Sequence, residues 1–232
     1  MKIGIIGAMH QEIQIIKNII KPYHIKNLIN SKIYIGMFKT HEIFLIQSGI
    51  GKVSAAIACM TLIQLCKIDL IINSGSAGGL IKTLSIGDLI VPKKICYYDV
   101  NLKNFGYSLG QIPTYPKFFR VNNVLFNFFK EVSKQFQLPF YTGIIVSGDS
   151  FVRKKVYVNQ LKHHFSSAVA VDMESAAIGQ VCYKFNIPFI VIKSISDASD
   201  NSATVNFKKN IDIASLQSSN FVKIILENII TI

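Results

Sequence analysis

Carboxyl side chains release or take up protons and accept hydrogen bonds from hydroxyls, so the search for chemistry starts from a modest set of 13 Asp and Glu residues. Four stand in suggestive contexts: Glu12 in GAMHQE, Asp149 in VSGDSF, Glu174 in VDMESAA and Asp197 in SISDAS. Taken singly, each has an ordinary explanation. Glu12 suits the positive end of a helix, Glu174 opens a helix for which Asp172 is the expected N-cap, and Asp197 suits a turn. The glycine-rich run INSGSAGG, residues 72–79, reads equally well as a tight turn or as a backbone-lined ligand pocket.

Two common site types are excluded. SGIGKVS contains a Gly-Lys pair, but Val53 replaces the Ser or Thr of a triphosphate loop and Ile46 stands where its leading glycine belongs. The cysteines, Cys59, Cys66, Cys96 and Cys182, form no CxxC pair, and the five histidines have no metal-ligand spacing. Adjacent His163 and His164 diverge by about 100° on a helix. Reduced buried thiols, no metal and no cofactor are expected.

The candidate acids need elements to position them. KIGIIGA reads as a strand, and Ile13, Ile16 and Ile20 behind it follow helical spacing. Strands are expected around 32–38 and 41–47, then a helix over VSAAIACMTLIQLC, a strand LIINS with its glycine loop, and a bent or edge strand GDLIVPKKICYYDV around Pro92. Residues 101–117 hold too many Gly and Pro for a helix and are too long for a plain connection. Helix 121–136, strand FYTGIIVSG, helix 154–165, strand AVAVDM, helix 174–185, strand PFIVIKSIS and a final helix from about Phe207 follow. Alternating strands and helices predict a three-layer α/β/α fold on a mostly parallel sheet. Such sheets build sites beyond the carboxyl ends of their strands, where Glu12, residues 74–79, Asp149, Glu174 and Asp197 all fall.

With 232 residues, 50% of them hydrophobic and 16% charged, a single domain over 1–232 is expected. No run of eighteen apolar residues and no secretory leader pattern is present, so no membrane partner is expected and the cytoplasm is the expected location. The net charge of +12 raises nucleic acid as a partner. Scattered lysines, only two arginines (Arg120 and Arg153) and no basic run interleaved with aromatics argue against it.

Together, MKIGIIGAMHQE, QSGIGKVSAA, INSGSAGG, IVSGDSFV, AVDMESAAI and SISDASD, in this order and at these separations, resemble the 5'-methylthioadenosine/S-adenosylhomocysteine nucleosidases over essentially the whole chain. The resemblance implies a nucleoside phosphorylase-like fold with a twisted, partly barrel-like mixed sheet, and a homodimer. It implies hydrolysis of the N-glycosidic bond of adenine nucleosides: methylthioadenosine, adenosylhomocysteine and 5'-deoxyadenosine, in methionine salvage and removal of the methyl-transfer product. By the same resemblance Asp197 protonates adenine N7, Glu12 deprotonates water and Glu174 grips the ribose hydroxyls, with Met173 packed on the sugar. Phe151 stacks on adenine, the backbone at Val152 reads it, and Ala8, Met9, Ile50, Ser76, Gly78 and Phe207 complete the pocket. Phe105 and Pro113 reach over from a partner subunit. Two positions depart from the family pattern: Lys193 stands near the attacking water where an arginine is common, and Asp172 where a glutamate is common, a change expected to matter little. The alternatives are a phosphate-using nucleoside phosphorylase and a non-catalytic basic binding protein.

Overall fold

The computed structural model describes residues 1–29 and 31–229. Its framework is β1 (Lys2–Gly7), β4 (His41–Gln47), β5 (Leu70–Gly79) and β12 (Phe189–Asp197), whose isoleucine and leucine side chains form the core. β1 lies parallel between β4 and β5, and β12 runs parallel along the other edge of β5. The remaining strands are β2 (Tyr23–Leu28), β3 (Ser31–Phe38), β6 (Leu89–Ile90), β7 (Lys94–Tyr97), β8 (Phe119–Arg120), β9 (Phe140–Tyr141), β10 (Ile144–Ser147) and β11 (Ala168–Asp172). One sheet runs β2-β3-β4-β1-β5-β11-β10-β7-β8, with β12, β6 and β9 branching from β5. Among the described residues six of the eleven pairings are parallel, so the sheet is mixed, and it does not close into a barrel.

The branch at β5 positions the site. Its first half pairs with β1 on one side, β12 runs along the other side as far as Gly78, and Gly78 and Gly79 also pair antiparallel with β11. The carboxyl ends of β5, β11 and β12 therefore converge. Helices cover both faces: α1 (His10–Ile19) packs with α6 (Ala203–Asn228), and α2 (Lys52–Thr61) with α5 (Ser175–Phe185). α3 (Asn123–Gln135) and α4 (Lys155–His164) complete the set, and among the described residues no helix is long and apolar enough to cross a membrane.

Several expected elements differ. Residues 74–79 are strand rather than loop, because pairing to β12 carries the ladder through Gly78. GDLIVPKKICYYDV is two strands, since Pro92 has no N–H to donate, and FYTGIIVSG likewise divides into β9 and β10. β2 is an edge strand whose inner residues are exposed, so no buried face marks it. Asp172 ends β11 rather than occupying the cap position of α5, which is Glu174; its carboxylate still accepts the Ser175 N–H at 3.1 Å. The last helix begins at Ala203, four residues before the expected start.

Candidate active site

Glu12 is the third residue of α1 and folds back on the helix start. Its Oε2 accepts the Ala8 N–H at 2.8 Å and the Met9 N–H at 3.1 Å, satisfying amides that a helix end leaves free. Its Oε1 accepts the N–H and the hydroxyl of Ser76, both at 2.8 Å. This grip needs a bare strand opposite, because a Cβ on Gly75 would lie 2.6 Å from Glu12 Oε1. Glu12 is 2% exposed, with the capacity of its carboxylate filled by four donors.

Glu174 stands at the start of α5, where β11 delivers it. Oε1 accepts the Gly51 N–H at 3.0 Å, and Oε2 lies 3.7 Å from Lys193 Nζ. Burial pushes its carboxyl up to about 7; the Lys193 ammonium and the Gly51 N–H oppose that rise, and the charges of Asp172 and Glu12 add to it. Lys193, 1% exposed, projects from β12 and lies 3.1 Å from Asp172 Oδ2. Burial alone would pull this ammonium down, but Asp172, Glu174 and Glu12 outweigh it and hold its pKa above the ordinary lysine range. Asp172 is also held by the hydroxyls of Ser147 and Ser175. Asp172, Ser147 and Ser175 were not among the sequence candidates, and Asp172 is the hub of this network rather than an idle neighbour.

Asp197 ends β12 at the other side of the cavity. Ser199 donates its N–H to Oδ1 at 2.9 Å and Ser196 its hydroxyl to Oδ2 at 2.9 Å. Burial raises its pKa against these two donors, with a smaller push from Asp200. Among the described residues no Lys or Arg lies within 4.0 Å of it.

A cavity of about 310 Å³ joins all three acids. Ala8, Met9, Ile50, Ser76, Gly78, Phe151, Val152, Met173 and Phe207 line it with them. The rings of Phe151 and Phe207 meet edge to face with centroids 5.6 Å apart. An aromatic wall beside a carboxyl and a polar end with fixed carboxylates suit a flat heterocycle joined to a polyol. Of the residues expected in this chain's own site, Lys193 does not line the cavity, and Phe105 and Pro113, expected to reach a partner's cavity, are not part of it. Lys193 lies behind Asp172 and Glu174, while Phe105, 76% exposed, and Pro113 lie elsewhere on their own chain. Among the described residues no group of three His, Cys, Asp or Glu could hold a metal ion, and Cys59 and Cys182 face each other as free thiols 3.6 Å apart.

Comparison with known proteins gives these surroundings a context. Residues 2–227 match the profile described as the Phosphorylase superfamily. The 5'-methylthioadenosine/S-adenosylhomocysteine nucleosidase of Buchnera aphidicola subsp. Acyrthosiphon pisum (strain Tuc7) is 64% identical over 99% of both chains. The S-adenosylhomocysteine nucleosidase of Streptococcus pyogenes, solved with 5-methylthiotubericidin, superposes with a TM-score of 0.97 at 35% identity, covering 100% of this chain and 98% of that one. The Neisseria meningitidis nucleosidase, solved with methylthio-immucillin-A, gives a TM-score of 0.96 at 34% identity over 98% and 99% of the two chains.

Proposed function

The chain belongs to the phosphorylase superfamily and, within it, to the 5'-methylthioadenosine/S-adenosylhomocysteine nucleosidases, and from that premise we propose how its cavity divides the work of hydrolysis. The enzyme cleaves the N-glycosidic bond of its adenine nucleoside substrate with water. Adenine leaves poorly as an anion, so Asp197 supplies a proton to N7 as the bond breaks. Burial raises this carboxyl's pKa and no Lys or Arg lies within 4.0 Å among the described residues, so it holds a proton more readily than an ordinary aspartate.

Positive charge grows on the ribose as the base departs. Glu174 accepts hydrogen bonds from the ribose hydroxyls, two acceptor oxygens matching two neighbouring hydroxyls, and Met173 packs on the sugar. Glu12 takes a proton from the attacking water. Its four donors hold the side chain in place, and the Ser76 hydroxyl is the one free to rotate away when water arrives. Lys193 acts on water only through the carboxylates it holds. At the far end, Phe151 stacks on adenine and the backbone of Val152 reads its edge, and Ala8, Met9, Ile50, Gly78 and Phe207 complete the lining of the pocket.

The chain works as a single domain in a cytoplasmic homodimer, with Phe105 and Pro113 closing the partner's cavity over the thioether tail. The exposure of Phe105 supports that reading. The observation that carries the division of labour is three buried carboxyls around one cavity in three different electrostatic settings. Phosphorolysis would call for arginine at a phosphate site, and neither Arg120 nor Arg153 lines the cavity. Adenine release from methylthioadenosine is expected to be independent of added phosphate and to yield free methylthioribose. Strict phosphate dependence with a ribose-1-phosphate product would overturn hydrolysis.

A further inference from the structure

Asp149 directly precedes the cavity-lining Ser150 and bridges two loops. The loop between β4 and α2 supplies Ile50 to the cavity and the Gly51 N–H to Glu174. The loop between β10 and α4 carries Phe151 and Val152. α2 begins at Gly51 and Lys52 with no capping side chain of its own, so its first amides need acceptors from elsewhere. They find two carboxylates: Glu174 on the Gly51 N–H at 3.0 Å and Asp149 Oδ1 on the Lys52 N–H at 2.8 Å.

Asp149 is itself held. Its N–H donates to Asp99 Oδ2 at 3.0 Å, and Asp99 pairs with Lys52 Nζ at 2.6 Å, while Asp149 Oδ2 lies 3.7 Å from the same ammonium. The loop ends after β4, β7 and β10 are thereby tied into one ring. Gly51 has φ +97°, and a Cβ there would lie 3.0 Å from Asp149 Oδ1, so glycine is what permits this approach.

We propose that Asp149 is a positioning residue: by capping α2 at Lys52 it aims the neighbouring Gly51 N–H at Glu174, coupling the loop that holds adenine to the residue that holds ribose. Its effect on catalysis rests on the role given to Glu174 above. The groups facing Glu174 are Lys193 from β12, Asp172 from β11, Glu12 from α1 and the Gly51 N–H at the start of α2. Of these, only the Gly51 amide answers to Asp149. Because that amide favours the charged form, loosening it raises the Glu174 pKa still further, and more of the enzyme carries a protonated carboxyl at neutral pH.

The decisive measurement is an NMR titration of the glutamate side-chain carbons in the unliganded enzyme, with Glu174 assigned through Glu174→Gln. In Asp149→Ala the Glu174 midpoint should rise by about one pH unit, the scale of one lost hydrogen bond to a charged group. KM for methylthioadenosine should rise about tenfold, with kcat changing less. Asp149→Asn keeps an acceptor oxygen for the Lys52 N–H and should restore most of both values. Lys52→Ala keeps that N–H but loosens Asp149 through Asp99, so it should act in the same direction at smaller size, and it decides the matter if Asp149→Ala folds poorly. An unchanged Glu174 midpoint in both Asp149→Ala and Lys52→Ala overturns the proposal. A wild-type KM in Glu174→Gln would instead remove Glu174 from ribose binding, while the titration would still decide whether Asp149 governs it.

Discussion

The two ends of the cavity are built from the same residue type and treat it oppositely. At the end proposed for ribose, Asp172 and Glu174 meet one ammonium, Lys193, that Glu12 also stabilises, and every carboxylate is met by hydrogen-bond donors. At the adenine end, Asp197 has two serine donors, aromatic rings nearby and no cation within salt-bridge distance among the described residues. A low-dielectric interior penalises an isolated charge heavily and a paired one much less. The end proposed for ribose is therefore a paired network in which burial still lifts Glu174 to about 7, and the end proposed for adenine holds a carboxyl raised by burial with no counter-charge among the described residues. The difference lies in what surrounds the carboxyls rather than in the carboxyls themselves.

The largest test of this contrast replaces the proton carrier. Asp197→Asn keeps the shape and loses the acid, so kcat/KM for methylthioadenosine should fall by roughly 10²–10⁴-fold, the usual worth of general acid catalysis. A thioribosyl substrate with a leaving group that departs well as an anion should lose far less, whereas Glu12→Gln should slow both substrates. Removing a buried carboxyl with no cation beside it should also leave stability unchanged or improved. An equal loss with both leaving groups in Asp197→Asn would deny that residue the acid's role.

Lys193→Met reverses the pattern. It leaves Asp172 and Glu174 buried without their counter-charge, which should cost about 3–5 kcal/mol in urea unfolding, the range for breaking a buried ion pair from one side. A variant as stable as the wild type would mean that the serine hydroxyls alone hold Asp172.

A gentler probe of the same end is pH. The Glu174 carboxyl stands near 7 in the folded protein against an ordinary 4.5, so between those values the native state binds more protons than the unfolded chain. Its contribution to stability is then complete below about 4.5 and is lost as pH rises to about 7. Glu174→Gln should gain stability relative to wild type between pH 5 and pH 8, read as the difference between their urea midpoints. A difference that stays constant across that range would contradict a raised pKa.

Glu12, Glu174 and Asp197 were legible in the sequence because each lies in a continuous motif at the end of an element, and strand-end logic places such residues on one rim. The partners were not. Asp172 meets Ser147 across 25 residues and Lys193 across 21, contacts made by neighbouring strands and invisible to local periodicity. Glycines at 75, 78 and 79 suggested a loop, whereas the ladder to β12, more than a hundred residues away, makes them strand. β2 went unseen because its short YHIKNL run is mostly exposed, with no buried face to set a pattern.

The smallest expected effect concerns the adenine wall itself. Phe151 presents a ring, 42% exposed in the unliganded protein, while Val152 next to it is 8% exposed and is assigned to recognition through its backbone. Phe151→Ala removes stacking, and a base on an aromatic ring is worth about 1–3 kcal/mol, so KM should rise about tenfold or more. Ring and base touch before and during bond cleavage alike, so kcat should stay near its wild-type value. Val152→Ala keeps the peptide groups and trims two methyls beside the cavity, so its effect should be smaller, within a few-fold. A larger loss from Val152→Ala than from Phe151→Ala would shift adenine recognition from ring to side-chain packing, and the adenine end would have to be redrawn around residue 152.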